Sequence, residues 1–175
     1  MELKTTIEAK DIIDIIGLLE AEDIDIWLDG GWGVDALLEE QTRLHKDVDV
    51  IVHIDNVQKM QCVLERQGFR LASGGAPTNF VLRDEKGREV NVHPVRFDEK
   101  GNGIYRMENG EDWVYPREGF TGKGKVDNRR VHCLTAKTQM LCHTGYEPSE
   151  KDFNEMKALH QRFGVEYPEQ YKNKF

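Results

Sequence analysis

Within "WLDGGWGVDALLEEQTRLHKDVDVIV", Trp27 to Val52, Asp47 and Asp49 are separated by one valine in a run that alternates polar and apolar residues. That alternation predicts a strand with both carboxylates on one face and the valines on the other. Two carboxylates roughly 6–7 Å apart repel each other unless a counter-charge joins them. A divalent cation is the economical solution, because Mg²⁺ commonly takes one or two carboxylates together with substrate phosphates. Upstream, Gly30 and Gly31 fall between an expected strand and an expected helix. Glycines there let backbone N–H groups approach an anion closely, and a helix start favours phosphate. A phosphate cradle followed by metal-binding carboxylates is the layout of a site for a nucleoside triphosphate with Mg²⁺.

The elements that must position these groups follow from periodicity. "TTIEAKDIIDIIGLLEAED" has helical spacing, with Thr5 or Thr6 as N-cap. A short strand is expected at Ile24–Leu28, then a short helix beginning right after the glycines in "GWGVDALLEE". The strand Asp47–Val52 is followed by an amphipathic helix over Asn56–Gly68. Strands are expected at about Phe69–Ala72, Asn79–Arg83 and Glu89–Val95, with Asp84–Gly87 as a hairpin turn. Residues 98–125 read as loop with a short strand around Trp113–Tyr115, and Arg129–Leu134 reads as one more strand. "TAKTQMLCHTGY" and "SEKDFNEMKALHQRFG" read as helices, the second capped by Ser149 and closed by Gly164. The predicted class is α/β (α+β), a mixed sheet flanked by helices. It forms one domain over 1–175, with an αβ core over about 1–132 and a helical C-terminal segment over about 133–175.

Composition narrows the function. The chain has 175 residues and a formal charge of −8, with no basic run, which disfavours nucleic acid as a partner. The acidic N-terminal stretch does not read as a signal peptide, and no apolar run approaches the roughly 20 residues of a membrane span. Cys62, Cys133 and Cys142 have no repeated spacing, which fits reduced thiols and a cytoplasmic location. The adjacent pairs His132-Cys133 and Cys142-His143 suggest zinc only superficially, since neighbours on a strand or helix diverge.

Taken together, "WLDGGWGVD", "R-x-H-K-D-V-D-V", "HPV" and "Q-M-L-C-H-T-G-Y-E" resemble the small antibiotic nucleotidyltransferases of the polymerase-β-type superfamily. These are the lincosamide nucleotidyltransferases and the aminoglycoside 2''-adenylyltransferases. The resemblance implies transfer of AMP from ATP, with Mg²⁺, to a hydroxyl of a small antibiotic, a lincosamide first and an aminoglycoside second. It implies release of pyrophosphate, antibiotic resistance as the outcome, and a homodimer as a further partner expectation. Asp47 and Asp49 would bind the metal and be catalytic. Gly30, Gly31, Asp35, Arg43, His45 and Lys46 would serve the nucleotide. Trp32, Gln139, His143 and Tyr146 would line the acceptor pocket, with Asp152, Glu155, Trp113 and Tyr115 as further candidates.

One position departs from the family pattern. Where an acidic residue is expected two before the histidine of "REVNVHPV", the chain has Asn91, and an amide cannot take a proton at neutral pH. Strand alternation puts Glu89, Asn91 and His93 on one face, so Glu89 or His93 is the candidate replacement base. The alternatives are a nucleotidyltransferase acting on a protein, of toxin–antitoxin type, and a catalytically impaired nucleotide-binding relative.

Overall fold

A computed structural model describes residues 5–175. In chain order the elements are α1 (Ala9–Glu20), β1 (Ile26–Asp29), α2 (Gly30–Leu38), β2 (Asp47–His53), α3 (Val57–Glu65), β3 (Arg70–Gly74) and β4 (Phe80–Arg83). They continue with β5 (Glu89–Phe97), β6 (Gly103–Arg106), β7 (Asp112–Tyr115), β8 (Lys123–Val126), β9 (Arg129–His132), α4 (Ala136–Leu141) and α5 (Glu150–Phe163). The main sheet has the order β1-β2-β5-β4-β3, and β6 and β7 extend it from the far end of β5. Only the β2–β5 pair is parallel; the other pairs in this sheet are antiparallel. The result is the mixed sheet flanked by helices that the sequence predicts. No helix among the described residues is long and apolar enough to cross a membrane.

The alternation in β2 sorts its side chains as expected. Val48 and Val50 are buried in the main core with Val90 and Val92 of β5, under α1 and α3. Ile12, Ile15, Ile16 and Leu19 give α1 its buried face. Burial of each such side chain contributes about 1.5–3 kcal/mol. The cap of α1 differs from expectation: Glu8, not Thr5 or Thr6, takes the N-cap position in a reciprocal bond with Asp11. The Ile7 amide donates to the His45 carbonyl at 2.9 Å, which ties the segment before the helix to the loop that leads into β2.

The region expected to be mostly loop contains two hairpins. β6 pairs with β7, Tyr105 opposite Trp113, around a turn with Gly110 at φ +86°. β8 pairs with β9 around Asp127, whose φ is +51°. Gly124 of β8 lies where a Cβ would collide with the Ala36 carbonyl, so this glycine serves close packing on α2 rather than looseness. The helix expected over "TAKTQMLCHTGY" ends at Leu141, and the chain then turns through Gly145 at φ +85°. α5 is capped by Ser149 and closed by Gly164 as the sequence predicts. α4 and α5 pack on α2 through Val34, Met140, Met156 and Leu159.

Candidate active site

β1 ends at Asp29 and α2 begins at once with Gly30, one glycine pair earlier than the sequence suggests. Asp29 is the cap: its Oδ1 accepts the Gly30 N–H at 2.8 Å. Asp29 is in register with Asp49 across β1–β2, and Asp49 with Asn91 across β2–β5. Asp29, Asp47, Asp49, Glu89, Asn91 and His93 therefore share one face of the sheet. Gly30 has φ +59°, and a Cβ on it would strike the Asp49 carboxylate. Its bareness lets that carboxylate reach the positive end of α2. A Cβ on Gly31 would meet the Arg43 guanidinium and lie 2.6 Å from the His45 ring.

Like charges crowd this face. Desolvation, then Asp47, then Asp29 push the Asp49 carboxyl up to about 8, although Asn91 opposes the shift. Burial likewise raises Asp29. Asn91 Nδ2 donates to Asp49 Oδ1 at 2.8 Å. The Asn91 carbonyl accepts from Asn79 Nδ2 at 3.3 Å, and Asn79 Oδ1 accepts from the Tyr105 hydroxyl at 3.1 Å. The amide at position 91 is thus a fixed donor to Asp49, where a carboxylate would add another negative charge.

Glu89 is committed elsewhere. Its Oε1 accepts from Arg83 Nε at 2.9 Å and Nη2 at 2.7 Å, and Lys46 Nζ lies 3.4 Å away. Partial burial pushes Glu89 up, but the Arg83 and Lys46 partners outweigh it and hold the carboxyl below its ordinary value. A carboxylate so held is a poor proton acceptor. His93 is half-buried, and burial keeps its pKa low while the nearby Asp29 opposes that shift.

A second set of charges closes the loop before β2. The buried His45 and Asp35 approach at 2.6 Å, and Thr42 Oγ1 donates to the other Asp35 oxygen at 2.6 Å. Trp32 is 3% exposed and packs on the His45 ring, so it does not line the cavity. Arg43 Nη2 donates to Glu155 Oε1 at 2.9 Å, while Glu155 Oε2 is 3.0 Å from His143 Nε2. His143 Nδ1 faces the Gln139 carbonyl at 2.7 Å and must donate to it. Nε2 then needs a second proton to bond Glu155, and His143 is an imidazolium in this arrangement. Burial lowers its pKa, but Glu155 and the Gln139 carbonyl outweigh that and raise it. His143, Asp152 and Glu155 are spaced as three ligands of a cation could be. Arg43, Tyr146 and Ser149 already occupy their oxygens, so the trio reads as a closed ion-pair network. Gln139 is fully buried against Gly33, and it faces no cavity.

Beside the carboxylates lies a cavity of about 310 Å³ lined by Asp29, His93, Tyr105, Trp113, Tyr115 and Tyr146 among others. Sequence reasoning passed over Asp29 and Tyr105. Asp29 follows directly on the expected strand and precedes the glycine pair, an N-cap signal that could have found it; Tyr105 sits on a strand that was not anticipated. A larger cavity of about 680 Å³, between α4 and the end of α5, has none of these carboxylates in its wall.

Comparison with known proteins identifies the family and the fold. The aminoglycoside-2''-adenylyltransferase family profile matches residues 11–159. A lincosamide resistance protein of Staphylococcus haemolyticus is 30% identical over 150 residues, covering 86% of this chain and 92% of that protein. The lincomycin-bound crystal structure of the lincosamide antibiotic adenylyltransferase LnuA superposes with a TM-score of 0.79 at 28% identity, covering 89% of this chain and 98% of that one. The structure of ANT(2")-Ia with adenylyl-2"-tobramycin shares the fold, with a TM-score of 0.71 at 15% identity and 87% of each chain covered. The chain is an enzyme with a nucleotidyltransferase fold, and it belongs to the aminoglycoside-2''-adenylyltransferase family.

Proposed function

We propose that this enzyme transfers AMP from ATP to a hydroxyl of a lincosamide antibiotic, releases pyrophosphate, and so inactivates the drug. The observation that carries the choice of acceptor is the cavity wall: three aromatic rings from the β6–β7 hairpin and a single carboxylate, Asp29, among the described lining residues. A lincosamide has one basic amine and sizeable apolar surface, which suits such a wall. An aminoglycoside has several ammonium groups and calls for more carboxylates than one. The lincomycin-bound relative supports the same reading.

Asp47 and Asp49 would hold Mg²⁺, and their chemistry fits: two oxygen donors on one strand, one with its carboxyl pushed up to about 8 by burial and then by the neighbouring carboxylates, a cost that a cation would relieve. Bound there, the ion supplies charge neutralisation for the triphosphate. The N-terminal amide of α2 at Gly31, with Arg43 beside it, offers donors to the phosphates, while the Gly30 amide is held by the Asp29 cap. Lys46 is 70% exposed at its side chain and can leave Glu89 for a phosphate at small cost. His45 and Asp35 act indirectly, by fixing the loop that carries Arg43. Tyr146 and Trp113 would bound the drug, while His143 would hold the wall through Glu155. Catalysis then rests on in-line positioning at the α-phosphorus more than on covalent chemistry.

The test is mass spectrometry after incubation with ATP, Mg²⁺ and a panel of lincosamides and aminoglycosides. Lincomycin gaining the mass of one AMP, and losing that gain in Asp47→Ala, is the expected result. Gain on aminoglycosides alone would overturn the choice of acceptor.

A further inference from the structure

Building on the AMP-transfer reading, we infer that His93 is the proton acceptor for the attacking hydroxyl, and that Asp29 across the sheet face stabilises the imidazolium it becomes. An acceptor is needed because Asn91 has no basic atom and donates to Asp49. Glu89 is removed from contention by its paired bonds to Arg83. His93 stands two residues along β5 from Asn91, on the same face and about 6–7 Å further toward the aromatic cavity, whose wall it forms. Its Nδ1 is buried without a hydrogen-bond partner. The ring leans edge-on against Tyr105, with centroids 5.3 Å apart. Nε2 is therefore the nitrogen presented to a hydroxyl in the cavity.

The groups that face His93 are Asp29 from β1, Tyr105 from β6, Tyr115 from β7, and Cys142 and Tyr146 after α4. Burial raises both Tyr105 and Tyr115, the Cys142 thiol and Tyr146, so all four are neutral at physiological pH. Asp29 supplies the one carboxyl among the described lining residues of this wall, and it acts on His93 in the direction that favours a bound proton. A neutral imidazole that can gain a proton beside a carboxylate has the properties of a general base at pH 7. In the step, the acceptor O–H proton passes to Nε2 as its oxygen bonds the α-phosphorus. The bond from that phosphorus to the bridging oxygen breaks, and pyrophosphate leaves with the electron pair.

The experiment compares wild type, His93→Gln, Asp29→Asn and the double variant His93→Gln/Asn91→Asp. Readouts are kcat and KM between pH 6 and 9 with ATP, Mg²⁺ and lincomycin, and release of AMP from ATP with water as acceptor. His93→Gln is expected to lower kcat by about 10²–10⁴-fold with KM for ATP and lincomycin within about threefold, and to abolish the acid limb of the kcat profile. Asp29→Asn keeps a capping side chain and is expected to move that limb to lower pH. A carboxylate restored at position 91 is expected to recover at least about tenfold of the loss. A kcat within about threefold of wild type, or a loss carried by KM with the acid limb intact, would overturn the assignment. Should His93→Gln not fold, the limb shift in Asp29→Asn decides, and an unmoved limb overturns the pairing. If wild type leaves lincomycin unmodified but releases AMP, the antibiotic reading fails alone. The His93→Gln comparison on AMP release then decides the base, with an unchanged rate sinking it.

Discussion

Two clusters of ionisable groups lie on either side of the loop that leads into β2, and they are built on opposite rules. On the sheet face, Asp29, Asp47 and Asp49 crowd like charges together, with Asn91 as their neutral donor. On the helical side, Arg43, Glu155 and His143 alternate in sign, and Tyr146 and Ser149 complete the bonds of Asp152. Apart from Arg43 Nε, which is buried without a partner, the second cluster is satisfied by its own members and can serve as a brace. The first is costly as it stands, and on the proposed function a cation and phosphates would offset that cost. Arg43 joins them, anchored to Glu155 while its guanidinium covers Gly31.

The contrast can be broken from either side. The largest effect is expected for Asp47→Ala or Asp49→Ala: AMP transfer should fall on the order of 10³-fold. Thermal unfolding in EDTA should be unchanged or shifted upward, since a repelling charge has gone. A fall in Tm of more than a few degrees would mean that the carboxylates support the fold. Next, Glu155→Gln strands both Arg43 and the His143 imidazolium, so urea unfolding should show a loss of about 2–3 kcal/mol. The KM for ATP should rise as Arg43 loosens, and a silent variant would remove the brace from the account. Asn91→Asp adds a fourth carboxylate to the first cluster. It should cost on the order of 1 kcal/mol in EDTA and make stability more dependent on Mg²⁺, read as a larger Tm increase on adding the ion.

The last contrast is the pH dependence. Asp49 and His143 both bind their protons more tightly folded than unfolded. The stability each contributes is therefore present at low pH and lost as pH rises. For Asp49 in metal-free protein the window runs from its ordinary value of 3.8 to about 8; for His143 it begins at 6.5 and extends upward. A Tm measured across these windows should fall as pH rises through each, and an unchanged Tm would remove the group concerned from the account. Asp49→Asn should flatten the first window alone, and Mg²⁺ should do the same.

Much of the site's frame was legible because it rests on local patterns. Strict alternation fixed the face of Asp47 and Asp49, and the Ser149 and Gly164 signals bounded α5. What escaped was decided by contacts distant in sequence. Gln139 and His143 read as pocket residues, yet α4 packs them against Gly33 and Glu155. Trp32 follows the glycine pair but faces the core, where it packs on the His45 ring from the loop before β2. Strands β6 and β8 were hidden by their glycines, which serve tight packing against Phe120 and α2 in this fold.

The nine-residue β5 is shared between two tasks. Its first half lies along β2 and β4 and holds the position-91 amide, whereas its end meets the β6–β7 hairpin through only the pairs Arg96–Ile104 and Phe97–Gly103. The hairpin is thus a cassette, fastened by a short splice and carrying most of the aromatic wall. On the proposed function, grafting this segment from one family member to another should change which drugs enter, provided that Tyr105 is kept, because its hydroxyl bonds Asn79 and through it steadies Asn91. A resistance enzyme so divided can widen its range by exchanging a dozen or so residues rather than by rebuilding its centre.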